Sequence, residues 1–478
     1  MPGDLGDARF NLYILEHFWQ YAQGATPSYW NAPFFYPESQ TIAYSDNLLG
    51  IAPLYAFFRL FGLLPETAFQ LWFVCITSLN FVFAYWAFRA LNIGSVGASA
   101  GAFVFAFSIA LQSQLTHAQT YSRFAVPMAL VALWQFLHSQ QAKHLLLACL
   151  FWVWQVYASI YTGYFLGVAM GFLLLAFVVV HPKRALEWLN SRQKVFYLGL
   201  SLALTALALW PLLQPYWQQS KHLQLPDVQY VLKQLPTWRS YFNAHYGSPW
   251  FNWLDQSRYF EATYDQQLFW GFGAWIGALS LLAFGIKKHW LPLALAALGL
   301  AVFFMQLEGI SLYAFWLKLP AVSSIRALPR LVNVLLFFPA LGLALAIGKL
   351  EALKVKNWVV VPVLAIFLLA DNYVDSSKAY THSKHVAMQR RLALQAKMAH
   401  LPPNSVVAYM PVTKTDPAIY YQLDAMLAAQ SLQLKCINGY SAQSPYEYYV
   451  FWDELSEEGL KRWLKWKQSV YMPIAIIQ

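Results

Sequence analysis

Nine stretches without a single Asp, Glu, Lys or Arg divide this sequence, at 67–88, 90–122, 124–142, 144–182, 195–220, 266–286, 291–307, 331–348 and 357–370. Most reach the ~17–20 residues that carry an α-helix across a bilayer. Breaking the two longest runs between Gly94 and Ser95 and at residues 161–163 predicts about ten helices, near 67–88, 95–113, 124–141, 144–161, 164–180, 195–215, 268–286, 290–306, 330–348 and 357–370. Only 11% of the 478 residues are charged and 59% are hydrophobic, against roughly 25% charged in soluble domains. A water-soluble core cannot absorb that much apolar surface.

The net charge of +10 raises nucleic acid as a partner, but the bases form no arm or stripe. They sit in short joints between apolar runs, which is the pattern of membrane topology. Lys143; Lys183, Arg184, Arg192 and Lys194; Lys287 and Lys288; and Lys349, Lys354 and Lys356 all fall on one side, which the positive-inside rule makes cytoplasmic. Three cysteines, Cys75, Cys149 and Cys436, supply neither a disulfide framework nor a CxxC metal site. The first ten residues are acidic and no apolar run follows them, so no secretory signal is predicted and the spans themselves act as insertion signals.

The resulting fold class is an all-α polytopic membrane domain with a small C-terminal extracytoplasmic α/β domain. Residues 1–66 form a first outer loop with interfacial helices, 67–370 the transmembrane domain with outer loops at 216–267 and 307–329, and 371–478 the outer tail. Residues 1–46 carry Asp4, Asp7, Glu16, Glu38 and Asp46 against Arg9, among many aromatics. The apolar segment 47–62 is short and contains Arg59, which suits an interfacial helix. In the tail, 405–411 and 472–477 read as strands, and 417–431 and 447–467 as helices, the last with acids early and bases late as the helix dipole favours.

The strings GDARFNLYILEHFWQ (6–20), WNAPFFYP (30–37) and YSDNLLG (44–50) resemble the first outer loop of bacterial GT-C superfamily members, integral membrane glycosyltransferases that use polyprenyl-phosphate-linked sugars. The stretch LPAVSSIRALPRLVNVLLFFPALGLALAIG (319–348) is similar to a later outer loop and helix of the same branch, and INGYSAQSP (437–445) fits its tail. The resemblance implies an inverting transfer in the inner (plasma) membrane, with the active site facing the periplasm or exterior. A first-loop carboxylate serves as general base, a polyprenyl-phosphate sugar as donor, and an envelope glycan or lipid as acceptor. Members normally begin with a membrane helix that delivers this loop. Here Asp7 stands six residues after Met1, so either such a helix precedes this sequence or the segment is held in another way.

The base must be ionised and within hydrogen-bond reach of the acceptor hydroxyl. Asp7 is the first candidate and Asp46 the second; the competing reading of Asp7 is an N-cap for the helical run that follows it. A departing lipid phosphate calls for guanidinium groups, and Arg326 and Arg330, four apart before an apolar span, would share one face of a helix; snorkelling to ordinary headgroups is their bland alternative. Glu16, His117, Arg123 and Glu308 are candidates for positioning substrate. Acids of the first loop leave a divalent cation, Mg²⁺ or Mn²⁺, open as cofactor, although no ligand spacing requires one. No phosphate-binding glycine motif occurs in strand–helix context, which argues against direct nucleotide use. A transporter or flippase of a lipid-linked sugar, or a noncatalytic GT-C relative, is the rival reading. Charges within spans would mark a transport path; the candidates here crowd the outer rim.

Overall fold

The structure, a computed structural model, describes every residue except 222–225, 261–263, 320–321, 354–356 and 468–472. Each apolar run contains helix. Among the described residues five helices are long and apolar enough to cross a membrane: Pro65–Arg89, Ser95–Gln114, Ile160–Val180, Arg192–Ser220 and Leu328–Ala352. Ala142–Ala158, Phe272–Gly285, Leu291–Phe303 and Trp358–Asp371 are apolar but shorter, and Ala125–Ser139 has 15 residues.

Of the roughly ten expected spans, five reach full spanning length among the described residues, because absence of charge does not guarantee helix to the ends of a run. Residues 266–271 leave the helix to meet the loop before them, with Leu268 N–H donating to Ser240 O at 3.0 Å and Phe269 N–H to Asn243 O at 3.1 Å. Gln306 N–H likewise turns away to Pro236 O at 2.8 Å. The break expected at 161–163 falls instead at Ser159, whose hydroxyl caps the helix beginning at Ile160. Of the basic joints, Lys354 and Lys356 lie outside the described residues.

Small residues set how closely the helices pack. Gly277 and Gly342 face each other across Phe272–Gly285 and Phe337–Ala352, and a Cβ at Gly277 would lie 2.0 Å from Pro339 O. Such backbone proximity is available only to glycine and gains van der Waals contact where lipid offers no hydrophobic drive. Gly277→Ala is therefore expected to force the pair apart, costing about 1–3 kcal/mol, readable as a lower detergent-unfolding midpoint; an unchanged midpoint would show that the pair tolerates separation.

The tail contains a three-stranded parallel sheet in the order β2-β1-β3, with β1 Val406–Tyr409, β2 Lys435–Cys436 and β3 Ile474–Ile477. Of the expected strand 472–477, Met472 lies outside the described residues. The helix expected over 447–467 is two helices, Tyr449–Glu454 and Glu457–Trp466: Leu455 turns left-handed at φ 40° and Ser456 caps the second through Gly459 N–H. Helix Lys384–Met398 joins the tail as well.

Buried ion pairs fasten this tail to the first loop. Asp424 on helix Ala418–Ser431 accepts from Arg9 at 2.5 Å and Arg390 at 2.7 Å, and Arg391 reaches Glu66 at 2.9 Å. Met1 and Gly3 lie along residues 380–382, Gly3 N–H donating to Tyr380 O at 2.9 Å. The loop before Phe272 joins them, since Trp250 Nε1 donates to Asp371 O at 3.1 Å and Asp375 N–H to Gly247 O at 3.0 Å. First loop, 237–271 loop and tail therefore gather at one end of the helices. Cysteines placed at the exposed Asn252 and Ser376, with Cys75, Cys149 and Cys436 replaced, should both react with an impermeant maleimide from outside intact cells. Reaction at one position alone would break the expected topology.

Candidate active site

Where these segments meet, a cavity of about 730 Å³ is lined by Asp7, Asp46, Arg326, Arg330, Gln119, Tyr161 and Tyr440, with Trp210, Leu213 and Trp217 forming an apolar side. That side belongs to helix Arg192–Ser220, which turns Trp210 and Trp217 largely outward, each 64% exposed. The cavity thus borders both the gathered loops and tail and the apolar side of a helix long and apolar enough to cross a membrane.

Asp7 opens helix Asp7–Ala22 without capping it. Capping of these first N–H groups falls to Asp4, whose carboxylate accepts from Gly6 N–H at 3.1 Å and Ala8 N–H at 3.5 Å. The Asp7 carboxylate is left to long-range partners: His117 Nδ1 lies 2.6 Å from Oδ2, and the Tyr440 hydroxyl donates to Oδ1. His117 Nε2 faces Asp265 Oδ1 at 3.6 Å, an ion-pair contact beyond hydrogen-bond distance. Burial pushes the Asp7 carboxyl upward, but the His117 bond and charge, the Tyr440 bond and the Arg330 charge outweigh it and hold it at about 2. Burial and Arg330 oppose protonation of His117, yet the carboxylates of Asp265 and Asp7 beside it raise its affinity for a proton. Asp7 is ionised throughout the neutral range.

Asp46 is 7% exposed and accepts from Ile160 N–H at 2.7 Å and Ser159 Oγ at 3.0 Å, at the start of helix Ile160–Val180. Burial raises its carboxyl, these bonds and the Arg330 charge offsetting only part. It combines a cap with a place in the cavity wall.

Arg326 and Arg330 do not share an α-helical face as the four-residue spacing suggested, because Leu328–Leu331 is a 3₁₀ turn opened by Pro329. Both nonetheless line the cavity. Arg326 Nη2 donates to Ala442 O at 2.6 Å, while Arg330 lies 5.0 Å from the centre of the Tyr161 ring and keeps a buried Nε without a hydrogen-bond partner among the described residues. Its charge acts on Asp7, Asp46 and Asp265 alike.

The other positioning candidates lie elsewhere, except His117. Glu16 is held by Arg59 at 2.9 Å and by the Tyr55 hydroxyl at 2.6 Å. Arg123 is fully buried, donating to the carbonyls of Phe105 and Ala106 that end helix Ser95–Phe107, a structural use of its charge. Glu308 lines a separate hollow with Trp238, Arg239 and Tyr259. Asp265 and Tyr440 escaped the sequence reading: nothing in the outer loop marked Asp265, and Tyr440 stood unremarked within INGYSAQSP. Among the described residues no three His, Cys, Asp or Glu side chains are placed to hold a metal ion. His117 lies between the two acids, with Nδ1 2.6 Å from Asp7 and Nε2 3.6 Å from Asp265.

No family model matches the sequence, and no curated protein matches it. Among solved structures, the archaeal oligosaccharyltransferase AglB from Archaeoglobus fulgidus, in complex with an inhibitory peptide and a dolichol-phosphate, is similar with a TM-score of 0.50 at 12% identity. The match covers 97% of this chain and 64% of that one, so the chain spans less than two thirds of its length. AglB is a GT-C protein, and at this identity the likeness is one of fold.

Proposed function

We propose that this chain, which shares the fold of a GT-C enzyme, moves a sugar from a polyprenyl-phosphate donor to an envelope glycan or lipid acceptor at the outer face of a bacterial inner membrane. The observation that carries this reading is one cavity lined by the carboxylates of Asp7 and Asp46, by Arg326 and Arg330, and by apolar aromatics of a helix long and apolar enough to cross a membrane. Those surfaces suit the three parts of such a reaction: acceptor hydroxyl, leaving phosphate and lipid tail. The dolichol-phosphate bound by the similar structure is of the same chemical class.

In this mechanism Asp7 takes the proton of the acceptor hydroxyl as its oxygen attacks the anomeric carbon. The bond from that carbon to the phosphate oxygen breaks on the opposite face, inverting the configuration, and the electron pair leaves with polyprenyl phosphate. Arg330, assisted by Arg326, stabilises the charge that develops there. Asp46 holds the start of helix Ile160–Val180 and thereby the Tyr161 ring beside Arg330.

The test is incubation of the purified chain with polyprenyl-phosphate-linked sugars and envelope fractions. Release of free polyprenyl phosphate with a new glycoside of inverted configuration is expected. Movement of intact donor between leaflets without release would replace the enzyme reading with transport.

A further inference from the structure

Asp7 sits in the first turn of its helix, where its carboxylate makes no cap to the helix itself. Two donors fix it, His117 from 110 residues away and Tyr440 from 433. Tyr440 belongs to the tail loop 437–445, and that loop is itself built to hold one position. Gly439 N–H donates to Gln422 Oε1 at 3.0 Å, Gln443 N–H to Tyr44 O at 3.1 Å, and Arg326 clasps Ala442 O. The phenol ring packs edge-on against Phe10 at 5.5 Å.

Resting on the general-base reading above, we propose that Tyr440 is a positioning residue for Asp7, so that the outer tail completes the catalytic carboxylate rather than merely packing on the membrane unit. A carboxylate oxygen has two lone pairs. With the phenol on one of Oδ1 and the imidazole on one of Oδ2, the remaining pairs are fixed in direction, and an acceptor hydroxyl meets a base that needs no reorientation. The phenol also tempers that base, because a donor to the ionised form stabilises it. Arg326 contacts both the cavity and the tail loop, which ties the carboxylate's alignment to the phosphate end of the same site.

Tyr440→Phe keeps the ring and its packing and removes only the hydroxyl. With the full-length protein in the transfer assay, kcat should fall about 10–100-fold through loss of alignment, and acceptor KM should move by much less, because the hydroxyl removed is engaged by Asp7. Incorporation of 3-fluorotyrosine and 3,5-difluorotyrosine at 440 keeps the geometry while strengthening the donor, so kcat should fall in step with phenol acidity as Asp7 becomes a weaker base. A purely structural tyrosine would not respond to fluorination. Parental kcat in Tyr440→Phe, or a loss that fluorination does not extend, overturns the inference while leaving Asp7 as the base. If Asp7→Asn retains the parental rate, the general-base reading falls, and this inference with it, whatever the Tyr440 variants do.

Discussion

Asp7→Asn is expected to lower sugar transfer by about 10²–10⁴-fold, the usual cost of losing a general base, with folding and donor binding intact. Asparagine has the size of aspartate but no lone-pair anion to receive a proton. The helix start does not depend on the change, since Asp4 caps it. The amide oxygen still accepts from Tyr440, and the loss of charge beside His117 lets that imidazole become neutral. Asp46→Asn is the matched control: one oxygen still accepts from Ile160 N–H, so a smaller effect is expected. Rates are read as polyprenyl phosphate released, and donor binding by equilibrium filtration of the labelled lipid. Transfer by Asp7→Asn at the parental rate would remove the catalytic assignment and leave Asp46 or a noncatalytic role as the better account.

Arg330→Lys should cut transfer by about 10²–10³-fold, the scale seen when a group stabilising developing charge is lost. It should act through donor use rather than proton removal. Lysine keeps the charge but not the planar fork that meets two phosphate oxygens at once, nor the flat face that lies on the Tyr161 ring. Arg326→Lys should cost less at the phosphate, because part of that guanidinium is already spent on Ala442 O. Donor titrations at saturating acceptor distinguish the two variants, and an Arg330→Lys enzyme with parental donor KM and kcat would show that the leaving group is stabilised by something else.

Several parts of this site were legible because their chemistry is local. Asp7 and Asp46 stand out as acids in an aromatic loop, and Arg326 and Arg330 as bases on the side where topology does not call for them; all four line the same cavity. Arg123 and Glu16 looked equally eligible by that standard. Their fate was settled by neighbours remote in sequence: open carbonyls at a helix end for Arg123, and Arg59 for Glu16.

What the sequence determined by itself is the solvent. Charge-free runs of spanning length oblige the backbone to satisfy its own hydrogen bonds, so helix follows at each run, and the joints and aromatic loops follow between them. What it did not determine is where each helix begins and stops, because residues at the ends of a run choose between helix and hydrogen bonds to another loop, as at 266–271. Only the tertiary structure decided which polar groups meet. Asp7, His117, Asp265 and Tyr440 come from the first segment, a turn between apolar helices, the loop before Phe272 and the tail. No periodicity links such positions, since their pairing is fixed by the desolvation cost of leaving any one of them buried and unpartnered.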